Sequence, residues 1–154
     1  MNIGLSGETR ERMIESLNQA LANEFVLYTK LRKYHWNVKG ANFVALHTLY
    51  EQQYTALEQV IDEAAERAVA LGGVALGTFA EFSQNAILTE KAGHNPDAAG
   101  MSRELAEDHE ALVAKFRADF RAATEAGDDN SADFFINLVQ QHEKMAWMLR
   151  ALLA

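Results

Sequence analysis

Two histidines and three carboxylates fall within 32 residues of an otherwise apolar, helical stretch: His35, His47, Glu51, Asp62 and Glu66. Neutral imidazole combined with carboxylate is a donor set that suits iron, manganese or zinc. Spacing sharpens the reading. His47 and Glu51 are four residues apart, as are Asp62 and Glu66, so each pair shares one face of a helix. The pairs are 15 residues apart, which on one straight helix is about 22 Å at roughly 1.5 Å per residue. A single metal centre cannot use both pairs of one helix. If both serve one site, the second pair comes from another subunit, across a two-fold axis near residues 56–57 that sets the helices antiparallel.

Four long helices are expected to carry these residues. The first runs from near Thr9 to about Lys33 with Ile14, Leu17, Leu21, Tyr28 and Leu31 as its apolar stripe. Gly40 breaks the chain and Asn42 offers an N-cap. The second runs from about Phe43 to Leu71, with Leu46, Tyr50, Tyr54, Leu57, Ile61, Ala65 and Ala68 as its stripe, and stops at Gly72-Gly73. A long connection follows, with a short helix over Glu81 to Ile87. Asn95-Pro96 reads as the start of the third long helix, which reaches Ala126, and Gly100 weakens its first turns. Gly127 stops it, and Asp128, Asp129 or Asn130 caps the fourth, which runs to about Leu153. The fold class is therefore all-α, a ferritin-like four-helix bundle with a long crossover between its second and third helices. One domain spans residues 1–154.

Composition narrows the chemistry. Cysteine is absent, which excludes disulfides, thiolate metal sites and a cysteine nucleophile. No basic segment leads into an apolar core at the N-terminus, and no run reaches the roughly 18 apolar residues of a membrane span. A cytoplasmic location is expected. The net charge of −8 favours attraction of cations over the coating of nucleic acid. Glu-x-x-His is missing: the residues three before each histidine are Arg32, Val44, Lys91, Ala106 and Val139. A di-iron site inside the bundle needs that pattern on two helices. A site between subunits stays open.

The run His35-Trp36-Asn37 through Phe43, then Leu46-His47, Glu51 and Asp62-Glu63-Ala64-Ala65-Glu66-Arg67-Ala68, resembles the signature of the Dps family of miniferritins. The likeness continues through Leu71-Gly72-Gly73-Val74-Ala75-Leu76-Gly77 and covers nearly the whole chain after residue 10. It implies a hollow homododecamer of tetrahedral symmetry with a two-iron ferroxidase site at each dimer interface. His35, His47 and Glu51 of one subunit would face Asp62 and Glu66 of its mate. Glu51 departs from the pattern, since many members carry Asp there, and the extra methylene changes that ligand's reach. Fe(II) would be oxidised by hydrogen peroxide to Fe(III) and stored as mineral inside the shell, protecting against oxidative damage. Zinc competes for the same donors.

The remaining polar residues divide by role. Trp36 is expected to anchor the dimer contact. It is also placed to give up an electron when one iron is bound. His94 reads as solvent-facing, and His109 and His142 as surface or packing residues rather than ligands. Asp128, Asp129 and Asp133 suit a helix cap and its macrodipole. The segment Gly-Asp-Asp-Asn-Ser-Ala-Asp also resembles the family's acidic three-fold pore, where these three aspartates would meet metal ions. The competing function is a DNA-binding, condensing protein with a secondary role in iron. Lys30, Arg32, Lys33 and Lys39 form the one notable basic cluster, and no Lys-rich tail accompanies it, so DNA binding is doubtful.

Overall fold

The computed structural model describes residues 1–153, and among them the regular elements are five helices. They are α1 (Gly7–Asn37), α2 (Phe43–Ala70), α3 (Phe79–Asn85), α4 (Ala98–Glu125) and α5 (Asp129–Ala151). Two long hairpins, α1–α2 and α4–α5, pack together, while α3 lies in the crossover against α1. No helix among the described residues is long and apolar enough to cross a membrane.

Local chemistry sets the boundaries. Ser6 caps α1 by accepting from the Thr9 amide at 3.0 Å, two residues earlier than the expected start. At its other end α1 continues to Asn37, so His35 and Trp36 sit on helical backbone. Asn42 occupies the cap position of α2 but makes no side-chain cap bond. The short helix is Phe79–Asn85, started by a capping box in which Thr78 and Glu81 satisfy each other's backbone amides. Asp97, and not Asn95, caps α4: it accepts from the Gly100 amide at 2.8 Å, and the helix begins after Pro96. Gly100 has a packing reason, since a Cβ there would lie 2.8 Å from Pro96 Cβ. At the α2 stop, Gly72 takes φ +92°, and a Cβ on Gly73 would fall 2.6 Å from an Ile14 methyl.

The core runs between the hairpins and includes Leu17, Leu27, Tyr50, Leu57, Leu105, Phe116 and Phe135, all fully buried. On α2 the buried stripe is Leu46, Tyr50, Gln53, Leu57, Val60, Ala64 and Ala68, in steps of three and four. Tyr54, Ile61 and Ala65, expected in that stripe, are half-buried on its flank. Ile61 and Ala65 pack there in a satellite cluster with Leu21 and Phe82. That flank meets Leu21, Ala22 and Phe25 of α1 and Phe82 of α3. Residues 20–24 of α1 are buried all round, including Asn23 and Glu24, because α1 has neighbours on several sides.

Candidate metal centre

His35 lies in the last turn of α1 and His47 in the second turn of α2, joined by the turn at Gly40 with φ +113°. Their rings stack with centroids 3.6 Å apart. Each ring is tied to the other residue's backbone: His35 Nδ1 lies 2.7 Å from the His47 carbonyl, and His47 Nδ1 lies 2.8 Å from the His35 carbonyl. A carbonyl oxygen only accepts, so both Nδ1 atoms carry hydrogen and donate. In neutral imidazole the lone pair then sits on Nε2 of both rings. Two neighbouring imidazoles with Nδ1–H fixed to carbonyls and bare Nε2 atoms form a ready pair of metal ligands. The His35 carbonyl is one of the acceptors that a helix C-terminus leaves unsatisfied, so the clasp also closes α1.

Glu51 follows one turn after His47 and is exposed. The Tyr54 hydroxyl donates to Glu51 Oε1 at 3.4 Å, and the Tyr54 ring meets His35 edge-on at 5.3 Å. Arg32 stands over Tyr54, with its guanidinium carbon 4.6 Å from the ring centre and 5.5 Å from that of Trp36. Arg32 also donates to the Tyr28 hydroxyl at 2.7 Å, and Tyr28 donates to Glu58 at 2.8 Å. Loss of solvent raises both phenols above their ordinary value, Glu58 adding to the rise at Tyr28 and Glu51 at Tyr54. Both therefore stay protonated donors at neutral pH. This layer of Arg32, Tyr28, Tyr54 and Glu58 is not signalled by ligand spacing. It comes from the facing flanks of α1, which carries Tyr28 and Arg32, and α2, which carries Tyr54 and Glu58.

Asp62 and Glu66 are exposed, four turns further along α2. Arg67, beside them in sequence, pairs elsewhere: it donates to Asp128 at 2.7 Å and to Ser131 at 2.9 Å. One chain therefore brings His35 and His47 together, places Glu51 one turn away and leaves Asp62 and Glu66 facing outward. Among the described residues of one chain, no three His, Asp or Glu side chains converge as a metal site. Trp36, next to the paired histidines, is 66% exposed in the single chain.

The other acids separate into two kinds. Asp128 is 3% exposed and spends its oxygens on Arg67, the Ser131 amide at 3.1 Å and the Ser131 hydroxyl at 2.6 Å. Asp129 and Asp133 are exposed on the first turns of α5. His94 is half-buried against Glu104 at 2.7 Å, not free in solvent. Hydrogen bonds from Tyr34 and then His94 hold the Glu104 carboxyl below its ordinary value, although desolvation opposes them. Three members of the basic cluster are engaged within the chain: Lys30 pairs with Asp108, Arg32 lies 3.6 Å from Glu58, and Lys33 donates to the Lys91 and His94 carbonyls. Lys39 is its exposed member.

A bundle of two long hairpins with a short helix in the crossover defines a ferritin-like fold. The family described as "Ferritin-like domain" matches residues 14–154. DNA protection during starvation protein 2 of Bacillus anthracis is 36% identical over 143 residues, covering 93% of this chain and 97% of that protein. Dps from Thermosynechococcus elongatus superposes with a TM-score of 0.91 at 35% identity, over 96% of this chain and 93% of that one. A Dps protein from Vibrio cholerae, described as a member of a broad superfamily of ferritin-like diiron-carboxylate proteins, gives 0.93 at 31% identity over 100% and 97%. This chain belongs to the Dps family of miniferritins.

Proposed function

We propose that the protein is a ferroxidase and iron store that oxidises Fe(II) at sites shared between subunits. The observation that carries this reading is the pair of imidazoles with both Nδ1 atoms committed to carbonyls and both Nε2 atoms left as donors. His35, His47 and Glu51 of one chain supply one half of the site, and Asp62 and Glu66 of a two-fold mate the other. The diiron-carboxylate description of the Vibrio cholerae relative supports iron as the substrate metal. Two Fe(II) ions held together deliver two electrons to one peroxide, which becomes water without releasing hydroxyl radical. Fe(III) then hydrolyses and collects inside a closed homododecamer in the cytoplasm. The test is Fe(II) oxidation by the purified protein, followed optically with peroxide and with oxygen. Consumption of about two Fe(II) per peroxide, with no radical trapped, is expected. A rate no faster than buffer alone would overturn the proposal. Zinc, which accepts the same ligands, is expected to inhibit by occupying the site.

Asp129 and Asp133 are proposed to guide Fe(II) inward at a three-fold pore, with Asp128 shaping the turn that presents them. A ring of carboxylates concentrates cations, most strongly at low salt. Asp129→Asn with Asp133→Asn is expected to slow mineralisation several-fold at low ionic strength and little at high. Stopped-flow uptake curves identical to the parent at low salt would leave these residues no part in entry.

DNA coating is the weaker reading for this chain. Lys30, Arg32 and Lys33 are engaged within the chain. Each of twelve copies would carry −8, which repels phosphate at long range.

A further inference from the structure

Halfway through the bundle, each of the four long helices contributes one polar side chain to the core. Glu24 comes from α1, Gln53 from α2, His109 from α4 and His142 from α5. Glu24, His109 and His142 are fully buried and Gln53 nearly so. They form one line: Gln53 Oε1 to His109 Nε2 at 3.3 Å, His109 Nδ1 to His142 Nδ1 at 2.8 Å, and His142 Nε2 to Glu24 Oε1 at 2.9 Å. The Phe116 ring covers His142 at 5.4 Å between centroids. Glu24, His109 and His142 are the titratable groups of this layer, and α2 supplies only the uncharged amide.

Donor and acceptor arithmetic fixes the hydrogens. Gln53 Nε2 donates to the Met145 carbonyl at 3.3 Å, so its oxygen faces His109. An amide oxygen only accepts, which puts a hydrogen on His109 Nε2. Burial, and then the neighbouring His142, push the His109 imidazole well below its ordinary value, so this ring is neutral and its Nδ1 is bare. His142 Nδ1 must then carry hydrogen. Its other nitrogen meets a carboxylate oxygen at 2.9 Å, and that contact is a hydrogen bond only if one more proton lies between the two. Either His142 is an imidazolium or Glu24 is a carboxylic acid. The second Glu24 oxygen is buried with no partner, which penalises a bare carboxylate there.

We propose that this quartet is a one-proton site: its three contacts need one hydrogen more than two neutral imidazoles and a carboxylate supply, and the folded core holds that proton between His142 and Glu24. With His109 neutral, that proton completes the hydrogen bonding across all four helices. Through Gln53 it also fixes the helix that carries His47, Glu51, Asp62 and Glu66. A second proton, on His109, would set two donors face to face at 2.8 Å and break the line.

Glu24→Gln tests this, because a glutamine can donate to a neutral His142 and complete the same line with no extra proton. Between about pH 5 and 9 the unfolded chains bind equal numbers of protons here, while the folded parent binds one more than the variant. The parent's unfolding constant divided by the variant's should therefore rise about tenfold per pH unit across that range. A ratio flat with pH would overturn the proposal. Should the shell unfold irreversibly, solid-state NMR of the assembled parent with 15N-histidine and 13C-glutamate gives the answer directly. At pH 8, either a doubly protonated His142 or a protonated Glu24 is expected, with His109 protonated on Nε2 alone. Finding Glu24 ionised beside a neutral His142 would contradict it.

Discussion

Asp62→Asn combined with Glu66→Gln is expected to slow Fe(II) oxidation by roughly 100-fold or more while helix content and assembly stay intact. Both side chains are exposed on α2, so the amides cost the isolated fold almost nothing. What they remove is the charge that attracts and fixes a cation. His47→Ala should act as strongly on oxidation, and it also removes the hydrogen bond that satisfies the His35 carbonyl. Glu51→Gln is expected to be milder, because this longer acid reaches its position partly through the Tyr54 hydroxyl. Stopped-flow traces for assembled shells decide the question. A double amide variant at the parent's rate would place the chemistry elsewhere.

The largest effect on stability is expected from Asp128→Ala. This carboxylate caps α5, accepts from Ser131 twice and pairs with Arg67 of α2 in a nearly buried position. Losing the cap costs about 1 kcal/mol, and stranding a partly buried guanidinium raises the total to about 2–4 kcal/mol. The midpoint of urea unfolding should fall accordingly, whereas Asp129→Asn should leave it nearly unchanged. Equal, small shifts for the two variants would show that Arg67 finds water or another partner when Asp128 is gone. The contrast also separates the cap from its exposed neighbours, which spacing alone leaves equivalent.

The architecture is legible in the sequence because its determinants are local. Gly40, Gly72-Gly73 and Gly127 mark the helix ends, and three- and four-residue apolar steps mark the inner faces. Two boundaries are less legible. Asn95-Pro96 has the composition of a helix start, but Asp97 one residue later carries the ionised oxygen that reaches the Gly100 amide. On α2, Tyr54 and Gln53 are adjacent, and their hydrophobicity favours the tyrosine for the core. The amide is buried instead because Met145 and His109 satisfy it, a fact of tertiary contact and not of pattern. His109 and His142 are misleading for the same reason. Nothing near either in sequence announces a partner, since Glu24 lies 118 residues from His142.

Around the candidate metal centre the residue types are legible and the arrangement is not. Spacing places His47 with Glu51 on one face and Asp62 with Glu66 further along it. It does not reveal that His35 and His47 exchange hydrogen bonds through the Gly40 turn, which is what leaves both Nε2 atoms as donors. Arg67 illustrates the opposite case. Its position suggests a partner for the neighbouring acids, yet it turns to the α4–α5 corner and leaves Asp62 and Glu66 without that counter-charge.

The shared site is tested most directly by complementation. His35→Ala with His47→Ala removes one half of every proposed site, and Asp62→Asn with Glu66→Gln removes the other. Shells of either variant alone should be inactive. When the two chains are unfolded, mixed equally and assembled together, about a quarter of the sites draw an intact half from each chain. Recovery to about a quarter of the parent's Fe(II) oxidation rate is expected in the mixed shells. Mixed shells as inactive as either parent variant, with both chains present in each particle, would contradict a site shared between subunits.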